Sequence, residues 1–293
     1  MQNKFIFFMV LTLWLGLSSN FVLANETIRY EASYKGVLSL FRKFSIAEVT
    51  LSVDSMGQMA QSPVDHLKLS VSSEKYKMAE NLYSFRYFYQ SLYETDLERT
   101  LYFENIKKTK EIKHKVGLFD WPNKQVQLFK SIAKDFVSDA SEIRNIQDAK
   151  SLNLTVKAKA LTDLPDQAMD RLSLLQNMRK KLQQGKNNHE YLVTTADELM
   201  TYKFSFAKDE VITSAGKKIN ARKIKVEAFD VDQLDNNLTF IDDVEADEFM
   251  TGESLKPRYR HPPIYIWFSL DDKYLPIKFV NHHSLGQFVI QRI

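Results

Sequence analysis

The chain has 293 residues, 44% of them hydrophobic and 26% charged, and a formal charge of +3 at pH 7. The length allows one large all-β domain or two of average size. The apolar content excludes a disordered chain, and the small charge excludes the dominant basic footprint of a nucleic-acid binder. There is no cysteine, so disulfides and a cysteine-linked lipid anchor are excluded and stability is left to the core.

At the start of the chain, Lys4 supplies a positive charge, Phe5 to Leu17 is apolar, and Val22-Leu23-Ala24 gives a small-x-small cleavage pattern. Residues 1–24 therefore read as a cleaved signal peptide. The apolar run is shorter than the roughly 20 residues of a spanning helix. The expectation is an exported, periplasmic protein that is not an integral membrane protein after cleavage. Glycine and proline are scarce, at eight and seven, and there is no linker, repeat or low-complexity tract. Residues 25–293 are thus read as a single β-rich domain.

Thr27 to Leu40 alternates, with Ile28, Tyr30, Ala32, Tyr34, Gly36, Leu38 and Leu40 on one face, the period of a half-buried strand. Ala47, Val49, Leu51 and Val53 repeat the pattern and stop at Asp54-Ser55-Met56-Gly57, read as a turn. Leu67, Leu69 and Val71 repeat it again, and Lys77 to Ser84 suits a short helix. Phe85 to Tyr93 is an aromatic strand with Phe85, Tyr87, Tyr89 and Tyr93 on one face. Leu101-Tyr102-Phe103 opens another strand, and Ile106 to Val116 reads as one charged strand. Asp120 to Asn123 makes a turn from which Val126 to Phe129 returns.

The pattern then changes period. Ala168, Met169, Leu172, Leu175, Met178 and Leu182 have helical spacing, Asp166 can cap and Gly185 can terminate, predicting a helix over Gln167–Gln184. Strands return over Tyr191–Phe206 and Val211–Phe229, with a hairpin at Ser214-Ala215-Gly216-Lys217. Ile224, Val226 and Ala228 face inward there, and Lys223, Lys225 and Glu227 outward. Asp230 to His261 is a long two-signed loop, acidic first and basic at its end. Three apolar runs close the chain, starting at Ile264, Tyr274 and Gly286, and read as three antiparallel strands.

No cofactor or metal site is marked. His282 and His283 are adjacent on a strand, so their rings face opposite ways and cannot share one ion there. Asp230-x-Asp232-x-x-Asp235 lacks the glycine of a calcium loop. No nucleotide-binding motif or nucleophile elbow occurs, and no serine or carboxylate pair stands out as catalytic.

Asp170-Arg171-Leu172-Ser173 followed by Arg179 and Gly185, the closing Tyr265-Ile266-Trp267-Phe268-Ser269-Leu270-Asp271, Leu275-Pro276-Ile277-Lys278 and Gly286, and the opening Tyr30-x-x-x-Tyr34-x-Gly36 resemble the domain of unknown function family 3108. That resemblance implies an exported bacterial protein of unassigned activity. The closing motif is also similar to that of periplasmic lipoprotein carriers and related half-barrels, whose curved antiparallel sheet wraps helices over an apolar groove. The expected fold is therefore mainly β: a large curved antiparallel sheet, a half-barrel, with one amphipathic helix packed on it.

Asp170 and Arg179 lie nine residues apart, about two and a half helical turns. They cannot pair directly, and each is expected to bond to the sheet. Ser173, Asp271, Pro276 and Gly286 are read with them as structural. Tyr87, Tyr89, Met169, Leu172, Leu175 and Trp267 are the candidate lining of a ligand groove. Three functions compete: a non-catalytic binder or carrier of an apolar, lipid or acyl ligand; an envelope structural module that meets a partner protein through the Asp230–His261 loop; and a hydrolase of an envelope polymer, motivated by the compartment alone.

Overall fold

The computed structural model describes residues 25–40, 42–59, 62–109, 112–131, 159–194, 199–230, 262–284 and 286–293. The signal peptide read over residues 1–24 lies outside them, as does the two-signed loop beyond Asp230. Fourteen strands are described: β1 Glu26–Gly36, β2 Phe44–Met59, β3 Ser62–Ser72, β4 Arg86–Glu94, β5 Arg99–Lys108, β6 Ile112–Asp120, β7 Gln125–Ser131, β8 Lys159–Leu161, β9 His189–Thr194, β10 Leu199–Ser214, β11 Lys217–Asp230, β12 Ile264–Ser269, β13 Pro276–His283 and β14 Gly286–Arg292. Two α-helices accompany them, α1 Lys77–Leu82 and α2 Arg171–Gln183. Neither is long and apolar enough to cross a membrane.

All fourteen strands form one antiparallel sheet in the order β8-β7-β6-β5-β4-β3-β2-β1-β14-β13-β12-β11-β10-β9. Each strand pairs with its sequence neighbours except β8 with β9, and β1 also pairs with β14, from Tyr30↔Arg292 to Gly36↔Gly286. The order is that of a ring with a single seam, between β8 and β9, where the chain leaves the sheet to form α2. The segment before α2 ties the seam together. Leu164 N donates to Lys124 O at 2.9 Å, Met169 N to Leu192 O at 3.1 Å, and Thr194 N to Met169 O at 2.8 Å. Met169 thus makes a parallel bridge to Val193, and the edge strand β9 finds partners for backbone groups that an open edge would leave unpaired. The sheet itself stays open between β8 and β9, and this segment runs across the gap.

α2 sits inside. The sequence predicts an amphipathic helix from Gln167 with Asp166 as cap; the helix starts at Arg171 and Asp170 is the cap. Pairing of Met169 with β9 holds residues 167–170 out of the helix. Nor does α2 keep a broad solvent face: Ser173, Gln176, Asn177, Arg179 and Lys181 are buried beside Leu172, Leu174, Met178 and Leu182. Buried polar groups need partners, and the sheet supplies them. Gln176 Nε2 donates to Asp65 Oδ2 at 3.0 Å, and Tyr191 Oη donates to Asn177 Oδ1 at 3.2 Å. Arg179 pairs with Glu26 at 2.7 Å and donates to Lys273 O at 2.6 Å, and Lys181 pairs with Glu98.

Three further expectations are corrected. β1 ends at Gly36 and gives way to a 3₁₀ turn over Val37–Ser39, so Leu40 is outside the strand, exposed and left-handed at φ 49°. Asp54–Gly57 is not a turn: β2 continues to Met59, and its pairing with β3 shifts register between Ser55 and Gln58, the irregularity a bulge introduces. Ile106–Val116 is not one strand but the meeting of β5 and β6, paired as Lys107↔Lys113 and Lys108↔Ile112. Its lysine-rich run carries no glycine or proline to mark the reversal.

Candidate functional site

α2 fills only part of the barrel. The helix meets the sheet mainly at β3, β4 and β9, and toward β1 and β2 a void of about 10 Å³ lies beside Ile28, Leu51, Val53, Leu172 and Arg179. Elsewhere a cavity of about 560 Å³ remains between helix and sheet, within the 300–1,000 Å³ or so of typical ligand pockets. Strand alternation builds its wall, because every second side chain points inward. Val49 and Leu51, Leu69 and Val71, Tyr87 and Tyr89, and Phe103 and Asn105 come from β2 to β5 in such pairs. Val226 and Ala228, Ile264 and Ile266, and Phe279 with Asn281 and His283 come from β11 to β13. Tyr30, Tyr202 and Ile290 complete the sheet's share, and Arg171, Leu172, Leu174, Leu175 and Met178 are the helix's.

An aromatic rib runs along one wall. Tyr87 stacks on Tyr89 with centroids 6.2 Å apart, Tyr89 lies parallel to Phe103 at 6.0 Å, and Phe103 meets Phe119 edge-on at 6.3 Å. Burial pushes the Tyr87 phenol up to about 12, and burial followed by the Asp170 charge pushes Tyr89 up as well. Both phenols are therefore neutral at physiological pH and can donate hydrogen bonds.

Arg171, the first residue of α2, lines the cavity and is exposed. Burial lowers its pKa, but the phenols of Tyr202, Tyr89 and Tyr87 outweigh that, and it ends above the ordinary value, with Tyr202 as its hydrogen-bond partner. Among the described residues no carboxylate forms an ion pair with it. Its neighbour Asp170 is fully buried. Asp170 Oδ1 accepts from Leu172 N at 2.7 Å and Ser173 N at 3.3 Å, and Oδ2 accepts from the hydroxyls of Ser91, Thr100 and Ser173. That is an N-cap which also fastens the helix to β4 and β5.

The other motif residues lie in turns and strand contacts. Asp271 Oδ1 accepts from Ser269 Oγ, Lys273 N and Tyr274 N in the β12–β13 turn. Pro276 O accepts from Tyr30 Oη at 2.7 Å. Gly286 faces Gly36 so closely that a Cβ there would meet Lys35 O at 2.5 Å.

Of the predicted groove residues, Tyr87, Tyr89, Leu172 and Leu175 lie together on the cavity wall, while Met169 and Trp267 do not. Met169 belongs to the seam and packs, fully buried, with Leu174, Met178 and Val193. Trp267 points to the opposite face of β12, because Ile264 and Ile266 occupy its inward positions. Its Nε1 donates to Glu210 Oε1 at 2.8 Å, and the ammonium groups of Lys223 and Lys278 lie over its ring at 4.9 and 4.8 Å. The histidine pair divides as strand geometry requires: His283 lines the cavity and His282 meets Tyr265 edge-on. Among the described residues no three His, Asp or Glu side chains are grouped to hold a metal. Arg171 is the cavity residue that sequence reading passed over; its signal was a charge at the start of a helix whose next residues are core.

No family model matches the chain, and no curated protein matches it. A solved structure does: the β-barrel-like protein of domain of unknown function 1849 from Brucella abortus is similar at a TM-score of 0.51, covering 92% of this chain and 96% of that one, with 8% identity. At that identity the likeness shows the fold alone: a mainly β, barrel-like architecture of large antiparallel sheet and few helices.

Proposed function

We propose that the protein is a non-catalytic binder or carrier of an apolar or lipid-like ligand, held in the cavity between α2 and the sheet. The observation that carries this reading is the cavity itself: about 560 Å³ of space between the helix and the sheet. Its wall is mostly apolar, with a few polar groups among the aliphatic and aromatic ones, the composition of a ligand pocket. Each methylene transferred into such a space contributes about 0.8 kcal/mol, so an acyl chain has ample gross driving force. An exported, periplasmic setting belongs to the same proposal, supported by the N-terminal signal pattern and by the motifs that resemble family 3108.

The test is to purify the full chain from its native compartment and record native mass spectra, expecting a retained ligand. A delipidated sample should then bind an environment-sensitive apolar fluorophore that acyl compounds displace. A sample with no retained mass, no fluorophore binding and no acyl binding would overturn the reading.

A further inference from the structure

We infer that the ligand is an acyl amphiphile with an anionic headgroup, and that Arg171 is the residue that takes the headgroup; this rests on the reading of the cavity as a ligand site. The lining residues described include no Asp, Glu or Lys. Among the described lining residues Arg171 is therefore the one permanent charge on a mostly apolar wall, its guanidinium charged at any physiological pH.

Two features make its position costly in the free protein. It is the first residue of α2, and a cation is disfavoured at the positive end of a helix. The adjacent carboxylate, Asp170, gives it no relief, since that group is held by two backbone N–H groups and three hydroxyls toward β4 and β5. Tyr202 offers only a neutral phenol oxygen. While the cavity holds water, that water hydrates the guanidinium. A purely apolar occupant would displace the water on the cavity side of the guanidinium and give nothing in return, which costs free energy. An occupant that brings its own anion replaces the lost hydration with charge-assisted hydrogen bonds. The amide side chains of Asn105 and Asn281 and the neutral phenol of Tyr87 are further donors on the same wall. The cavity thus selects against neutral and cationic amphiphiles as well as for anionic ones.

The experiment compares four twelve-carbon probes on the delipidated full chain by fluorophore displacement: laurate, lauroyl lysophosphatidate, dodecanol and dodecyltrimethylammonium. The wild type should bind at least one of the two anions about 10- to 100-fold more tightly than the neutral and cationic probes; the tighter anion identifies a carboxylate or a phosphate headgroup. Arg171→Gln should bring that anion down to the level of dodecanol while dodecanol itself changes by less than about twofold. Arg171→Lys should keep part of the preference, since the charge remains and the fork is lost. Equal wild-type affinity for dodecanol and both anions would overturn the inference and leave the apolar-ligand reading standing. Loss of all four probes equally in Arg171→Gln would likewise overturn it. Failure of the wild type to bind any probe would overturn the ligand reading itself.

Discussion

Gly117 on β6 lies against the ring of Phe103 on β5: a Cβ at Gly117 would stand 2.1 Å from Phe103 Cε1 and 2.5 Å from Cζ. The two residues are register partners, and the missing side chain is the space the ring occupies. Phe103 in turn stacks on Tyr89 and lines the cavity. Gly117→Ala should force Phe103 aside and cost about 1–3 kcal/mol, the range for overpacking a filled core. Urea unfolding measures the cost, and weaker acyl binding in the folded fraction would show that the displaced ring enters the cavity.

Most of the sheet was legible because its strands alternate. Ile224, Val226 and Ala228 against Lys223, Lys225 and Glu227 mark which face turns inward, and all three apolar residues are buried. The same alternation puts Trp267 on the face of β12 opposite the cavity, since Ile266 and Phe268 flank it, and there it is buried under its lysine and glutamate neighbours. The lysine-rich β5–β6 reversal was hidden because charge says nothing about a turn without glycine or proline. The start of α2 was misplaced because Met169 suits a helix locally, and only its pairing with Val193 on the far edge strand decides otherwise. The role of Arg171 was invisible for a similar reason: the cavity it faces is assembled from strands more than a hundred residues apart.

Asp170 joins three jobs in one carboxylate. It caps α2, accepts from hydroxyls on β4 and β5, and sits fully buried. Asp170→Ala leaves two helix N–H groups and three hydroxyls short of an acceptor, so a loss of about 2–4 kcal/mol is expected. Asp170→Asn keeps one carbonyl acceptor and should cost less. Equal destabilisation by both variants in denaturant titrations would show that the negative charge, and not the hydrogen bonding, is what the site needs.

Asp65 gives a pH dependence with a definite sign. Burial raises its pKa above the ordinary carboxylate value, and the bond from Gln176 only partly offsets that. Because the folded value exceeds the unfolded one, ionised Asp65 destabilises the protein at neutral pH. That penalty fades as pH falls through the folded value toward the unfolded one near 3.9. Asp65→Asn removes the penalty and keeps an acceptor for Gln176. The variant should melt at a higher temperature than the wild type near pH 7, and the gap should narrow as the pH approaches about 4. A gap that widened on acidification would contradict the assignment.

Ala228 separates the cavity's use from the barrel's stability. Its small side chain lines the cavity from β11, opposite Tyr202 on β10. A larger ring there has empty space to enter, so Ala228→Phe should leave stability unchanged or raise it, as cavity filling commonly does. The same ring takes volume from any ligand, and affinity for acyl probes should fall by about tenfold or more. Thermal melts and fluorophore displacement on one preparation read both quantities. Retained binding with retained stability would move the ligand site elsewhere. Loss of both would mean that the ring distorts the wall instead of filling the cavity, and Val226→Phe, one inward position along the same strand, then repeats the test.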